Sequence, residues 1–161
     1  MTNEHVLDSL RKSRLASELS PDQVGTLSDS ISSRDLTPGE VLIAEGTSDN
    51  HLYMIVHGTL EAVRNHGTSD SATLFALSAG DLVGELSFID GTRHFASLVA
   101  AAPTRVLGLE RERLEALLPA HPELVYRVMR AIIRTVHELQ RRISMQATEL
   151  ANYIYKQHGR Y

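Results

Sequence analysis

The amino-acid sequence predicts a mainly β protein, a jelly-roll-type barrel carried between helices at both ends. Between residues 36 and 110 the chain runs in short aliphatic and β-branched segments cut by Gly, Pro, Asn and Asp, with no helix-length pattern between them. Residues 1–35 and 111–161 instead space their apolar residues by three and four, the period of a helix with one buried face. The chain has 161 residues, 42% hydrophobic and 22% charged, which suits one domain with appended helices and is too short for two.

In the helical segment 1–35, Val6, Leu7, Leu10, Leu15 and Leu19 recur at roughly helical spacing, with Arg11, Lys12 and Arg14 between them. Ser20-Pro21-Asp22-Gln23 reads as a helix start: a capping serine, a proline at the first helical position, and a glutamine where a capping box places it. Val24, Leu27 and Ile31 give that helix one apolar stripe, so it is expected to end near Ser32-Ser33. In the barrel, 36–110, the strands are Val41–Ala44, Leu52–Val56, Leu60–Val63, Thr73–Leu77, Phe95–Ala101 and Arg105–Leu109, the last two split by Pro103. Short strands at this spacing without helices between them pair antiparallel, as a sandwich or barrel.

Gly84–Gly91 breaks the strand pattern and reads as one helical turn bracketed by glycines. The start of such a turn leaves several backbone N–H groups free, a natural pocket for an anion. From periodicity alone a plain barrel corner is the simpler reading. In the segment 111–161, Arg111–Leu118 reads as a short helix stopped by Pro119, and His121-Pro122-Glu123 opens a long one. There Val125, Met129, Ile132, Val136, Leu139, Ile143, Gln146, Leu150 and Tyr153 step by four and three, a heptad seam with one polar member. Leu124, Val128 and Ile133 widen the stripe toward the barrel. A broad face with a narrow seam suits a symmetric dimer; a helix folded wholly against its own barrel is the alternative.

Charge and composition narrow the chemistry. The net charge is −4, so the whole chain lacks the basic character of a general nucleic-acid binder. Residues 1–120 hold 9 Lys/Arg against 17 Asp/Glu and residues 121–161 hold 7 against 3. Such an acidic body with a basic tail can bind an acidic partner, a nucleic acid or itself, or can simply present a solvated arginine face. With no cysteine, disulfides, thiolate nucleophiles and Cys-type metal sites are excluded. There is no signal peptide and no run long enough to span a membrane, so a cytoplasmic protein is expected. No His-x-His pair exists, and His51 and His57 lack a matching carboxylate pattern, so no metal is expected. No nucleophile–base spacing or carboxylate pair points to catalysis, so the chain is not expected to be an enzyme.

Three blocks, in order, carry a resemblance. Pro38-Gly39-Glu40-Val41-Leu42-Ile43-Ala44-Glu45-Gly46 is similar to a first barrel hairpin, and Leu52–Leu60 to a central hairpin. Ala79-Gly80-Asp81-Leu82-Val83-Gly84-Glu85-Leu86-Ser87 is similar to the lead-in of a phosphate-binding cassette. Over about residues 10–150 the pattern resembles the cyclic-nucleotide-binding domain superfamily in its catabolite-activator-type arrangement. The resemblance implies a double-stranded β-helix (jelly-roll) barrel, flanked by N-terminal helices and a long C-terminal dimerisation helix, with a cassette over 84–97. It implies cyclic AMP or cyclic GMP as ligand. Gly84 would bring a backbone amide to the cyclic phosphate, and Glu85 would accept the ribose 2′-hydroxyl proton. The N–H groups of Leu86 and Ser87 would meet the phosphate oxygens, and Ala96 and Ser97 would complete the cradle. Leu139 and Gln140 are the nearest equivalents of residues with which the long helix touches the base.

The sequence departs from the pattern at the phosphate arginine, expected nine or ten residues after the glutamate: nine from Glu85 is His94, ten is Phe95, and Arg93 stands one place early. If strand alternation holds here, Arg93 faces away and His94 faces in. Losing a charge-assisted pair costs about 1.5–3 kcal/mol, roughly ten- to a hundredfold in affinity. Arg93 swinging in from a bent Gly91-Thr92 loop, a different ligand, or no small ligand at all are the three outcomes left open. Too few residues follow the long helix for the helix-turn-helix module of the activators, so direct DNA binding is not expected. The expectation is a stand-alone sensor that signals through its C-terminal helix to an unidentified protein partner, or a ligand-independent dimeric adaptor.

Overall fold

The structure, a computed structural model, describes residues 3–158. Helix α1, Asn3–Arg11, leads through a 3₁₀ turn at Arg14–Ala16 into α2, Pro21–Ser28. At the start of α2 the Ser20 hydroxyl accepts from the Gln23 amide at 3.3 Å and the Gln23 side chain accepts from the Ser20 amide at 3.0 Å, so the capping box forms as expected.

The eight strands are β1 Ile31–Leu36, β2 Val41–Ile43, β3 His51–His57, β4 Thr59–Arg64, β5 Ala72–Ser78, β6 Leu82–Val83, β7 Ser97–Ala100 and β8 Thr104–Glu110. They form two four-stranded sheets in the orders β1-β8-β3-β6 and β2-β7-β4-β5, and every recorded pairing is antiparallel. Helix α3, Glu85–Asp90, lies between β6 and β7; α4, Arg111–Glu115, and α5, Pro122–His158, follow β8.

The boundary near residue 31 corrects the sequence reading. The helix ends at Ser28, and Ile31, expected on its stripe, starts β1 instead, paired with Leu109 across the sheet. Tertiary pairing with β8 overrides the local period: Ile31 and Leu36 bury the two ends of the strand while Ser32, Arg34 and Asp35 face outward. The barrel therefore begins at 31 rather than 36.

The sheet containing β3 and β8 is buried on both faces. Leu52 and Met54 of β3 and Leu107 and Leu109 of β8 pack under α1, α2 and α5. Ile55 and Val106 face the barrel interior with Leu36, Leu60, Ala62, Val83 and Leu98. Such double burial is why these strands read as continuous apolar runs. Leu124, Val125, Val128 and Ile132 of α5 join the helix-side cluster, with Met129 and Val136 against it. Ile133 does not widen this face: one residue past fully buried Ile132 it has turned about 100° round the helix and is 62% exposed.

Three arginines of the basic C-terminal helix, Arg130, Arg134 and Arg142, meet carboxylates of the body. Arg130 and Arg134 share the Glu18 carboxylate, Arg127 donates to the Glu18 carbonyl at 2.9 Å, Arg14 pairs with Glu138, and Arg142 lies 3.1 Å from both oxygens of Asp81. Residues 141–152 are all exposed, and Ile143 and Leu150 carry the apolar stripe beyond the barrel. The seam position Tyr153, in its side chain, and Arg160 lie outside the described residues.

Candidate functional site

The turn that builds the site depends on Gly84. Its φ of +81° is one that side-chain-bearing residues rarely adopt, and an added Cβ would stand 2.8 Å from the His51 carbonyl oxygen. Gly84 lets β6 pass directly into α3, whose ring of Phe88 is 2% exposed and anchors it in the core. Ser87, 1% exposed, fixes the same turn from beneath: its hydroxyl donates to the Asp49 carbonyl at 2.6 Å and accepts from the Asp49 amide at 2.7 Å. The first amides of the turn have no intrahelical acceptor, as at any helix start. At its far end Gly91 donates to the Ser87 carbonyl at 2.9 Å. The hydroxyl and amide of Thr92 then hold the Asp90 carboxyl below its ordinary range.

Beside this turn opens a shallow hollow, continuous with solvent, with an interior volume of about 90 Å³. Gly84, Glu85, Leu86, Arg93, His94 and Ala96 border it, so most of the residues singled out in the sequence meet here. Ser87, Ser97 and Gln140 do not. The two serine hydroxyls serve the fold, Ser97 accepting from the Glu45 amide at 3.0 Å, and Gln140 is exposed away from the hollow while its neighbour Leu139 forms part of the wall.

Arg93 corrects the expected alternation. Residues 91–96 are not strand, and β7 begins only at Ser97, so adjacent side chains are not forced to opposite faces. Both Arg93 and His94 border the hollow. The His94 main chain is tied to the 46–47 turn, its amide donating to Thr47 and its carbonyl accepting from Gly46, each at 2.8 Å. Its imidazole, 10% exposed, places Nε2 3.4 Å from Asp49 Oδ1, but the geometry makes no hydrogen bond and the nitrogen is buried without one. Glu85 and Arg93, by contrast, reach the hollow with no hydrogen bond or ion pair to another side chain among the described residues.

The remaining wall is apolar and was missed in the sequence: Ala62, Phe75, Leu77, Leu82, Val83, Phe95 and Leu98. Phe75 and Leu77, two apart on β5, share a face, and that period was the available signal. Phe75 and Phe95 lie with ring centroids 6.4 Å apart. Among the described residues no three His, Cys, Asp or Glu side chains gather as metal ligands, and no helix is long and apolar enough to cross a membrane.

The sequence profile of the cyclic nucleotide-binding domain matches residues 33–121, more than half of the chain. The chain belongs to that family. A similar relative is the cyclic AMP receptor protein of Thermus thermophilus, 27% identical over 142 residues, covering 88% of this chain and 66% of that one. The crystal structure of a cyclic nucleotide-binding domain from Methylobacillus flagellatus matches with a TM-score of 0.74 at 26% identity, over 87% of this chain and 79% of that one. The regulatory subunit of a cAMP-independent protein kinase A from Trypanosoma brucei matches with a TM-score of 0.68 at 25% identity, over 84% of this chain and 46% of that one. The chain thus spans just under two thirds of the bacterial receptor and less than half of the kinase subunit. The two-sheet barrel with its helical ends, expected from the sequence, is the family's fold.

Proposed function

We propose that the hollow holds a cyclic nucleotide, cyclic AMP or cyclic GMP, and that the chain is a regulatory sensor rather than an enzyme. The phosphate lies toward Arg93 and the first amides of α3, and the ribose hydroxyl toward Glu85. The observation that carries this reading is that one cation and one carboxylate border the same open hollow and neither has a partner among the described residues. Arg93 is exposed and Glu85 half-buried, so water solvates both in the free protein, and a ligand with one anionic and one hydroxyl edge replaces that water with charge-assisted hydrogen bonds. Arg93 then does what a phosphate arginine nine or ten residues after Glu85 would do.

Occupancy is passed on through α5. Leu139 is in the wall, and the ion pairs Arg14–Glu138 and Arg142–Asp81 hold the helix on either side of it, the second on the turn leading into β6 and α3. A ligand that fits one placement of α5 better than another shifts the population between them, and a partner protein reads the difference. The exposed continuation of the apolar stripe at Ile143 and Leu150 supports a homodimer through this helix. The reading carries with it a cytoplasmic location and no direct contact with DNA. The second reading, a ligand-independent adaptor, draws on His94, whose imidazole faces Asp49 and offers the ligand no guanidinium.

Isothermal calorimetry with cyclic AMP and cyclic GMP decides between them. Heat of binding and a raised melting temperature are expected at submillimolar nucleotide. Neither effect at millimolar nucleotide would retire the sensor and leave the adaptor.

A further inference from the structure

We propose that the hollow accepts the base of its nucleotide by apolar contact alone, so that adenine and guanine are bound nearly equally, and that Leu139 is the residue that sets this tolerance. The inference rests on the nucleotide reading above and deepens it.

The polar side chains of the hollow are confined to one stretch of its border. Glu85 and Arg93 are the two charged ones with no partner among the described residues; beside them the Thr92 hydroxyl donates to Asp90 and the His94 Nε2 is shut off from solvent. With the phosphate and sugar at this border, the base lies against the other wall, made by Phe75, Leu77, Leu98, Phe95 and Leu139. None of these five side chains has a hydrogen-bond donor or acceptor. On α5 the geometry is decisive: Leu139 faces the hollow, and Gln140, which has both a donor and an acceptor, is turned out to solvent.

Adenine and guanine differ at their edges, not in their rings: adenine has an exocyclic amino donor where guanine has a carbonyl acceptor, and guanine adds a second amino group. A protein separates them by placing a fixed donor or acceptor at those edges, and a site that does so rejects the wrong partner by about 10⁴-fold or more, whereas an apolar wall discriminates near-isosteres weakly. Here the ring faces are held by dispersion and aromatic contact, which the two purines share, and the edges are left to water in the open mouth. A pyrimidine gives up the area of one ring and binds more weakly than either.

Isothermal calorimetry on the full chain with cyclic AMP, cyclic GMP and cyclic CMP tests the inference. Dissociation constants for the two purines within about threefold of each other, and cyclic CMP weaker by roughly fivefold to tenfold, are expected. Leu139→Ala weakens both purines by the same factor, whereas Leu139→Thr, which adds a donor and an acceptor to the wall, separates them. A preference between cyclic AMP and cyclic GMP above about thirtyfold in the unaltered chain would overturn the inference while leaving the nucleotide reading intact, since that much discrimination requires edge hydrogen bonds. Failure of all three nucleotides to bind would overturn the nucleotide reading and this inference with it.

Discussion

The wall made by β3 and β8 and the hollow beside α3 are neighbours in the fold, yet they treat side chains in opposite ways. In the wall, apolar residues fill both faces, and charges at its borders are matched: Arg105 with Asp35, Arg142 with Asp81, Arg113 with Glu110. At the hollow, Glu85 and Arg93 stand without partners among the described residues, and Leu86 and Phe95 are exposed. The first arrangement minimises the free energy of the folded chain by itself. The second leaves a cation and a carboxylate to water, where a ligand of complementary charge and hydroxyl pattern can displace that water. Substitutions in the two regions should therefore separate stability from binding.

The largest effect is expected at the hinge between the regions, Phe88. Its ring is buried in the helix-side core yet belongs to the turn that borders the hollow. Phe88→Ala removes the anchor and leaves a cavity, costing about 3–5 kcal/mol, a large share of the ~5–15 kcal/mol that holds a domain of this size together. Chemical denaturation followed by circular dichroism checks it; a loss below about 1 kcal/mol would mean α3 is not held by this ring.

Next come the two unpaired charges. Arg93→Gln and Glu85→Gln are expected to leave the denaturation midpoint almost unchanged, because neither group has a partner to lose. Each should weaken cyclic AMP by about ten- to a hundredfold, the worth of one hydrogen bond to a charged group. Calorimetry read beside a melting curve distinguishes this from a folding defect. If His94→Gln weakened binding while Arg93→Gln did not, the phosphate would have to lie against the imidazole, and the comparison between wall and hollow would need redrawing.

The fold was largely legible in the sequence because its signals are local and redundant. Ser20 and Gln23 announce a capping box, glycines bracket α3, and the runs around Met54 and Leu107 mark strands. Where the reading failed, a distant partner decided the outcome. Ile31 fits a helical stripe with Val24 and Leu27 but is claimed by Leu109, 78 residues away in sequence. The site was half legible for the same reason. Gly84 and Glu85 sit in a recognisable turn, but that Arg93 as well as His94 borders the hollow depends on where β7 starts, and that is set by pairing with β2 and β4. Of Leu139 and Gln140, which the sequence names together, the rotation of α5 against the barrel, fixed by Val128 and Ile132, presents Leu139 to the hollow.

The smallest effect is expected in the wall's outer charge pairs. Asp35 and Arg105 stand opposite each other on β1 and β8, with Arg105 Nε 2.6 Å and Nη2 3.0 Å from the carboxylate oxygens. This guanidinium holds the Asp35 carboxyl below its ordinary range, and Asp35 in turn raises Arg105. A carboxyl with a lowered folded-state value binds its proton more readily in the unfolded chain, so the pair stabilises the fold above the unfolded value of ~3.9 and the contribution is lost as pH falls through the lower, folded one. Both side chains are open to solvent, and water and salt screen them. Asp35→Asn should accordingly lower the melting temperature at pH 7 by no more than about 2 °C, should do so less in 1 M salt, and the deficit should shrink as the pH is lowered through the carboxyl's folded-state range. A deficit that did not shrink on acidification would place the effect of the substitution in β1 packing rather than in charge, and a deficit of several degrees at pH 7 would show that the outer face of the wall is held by more than the apolar residues beneath it.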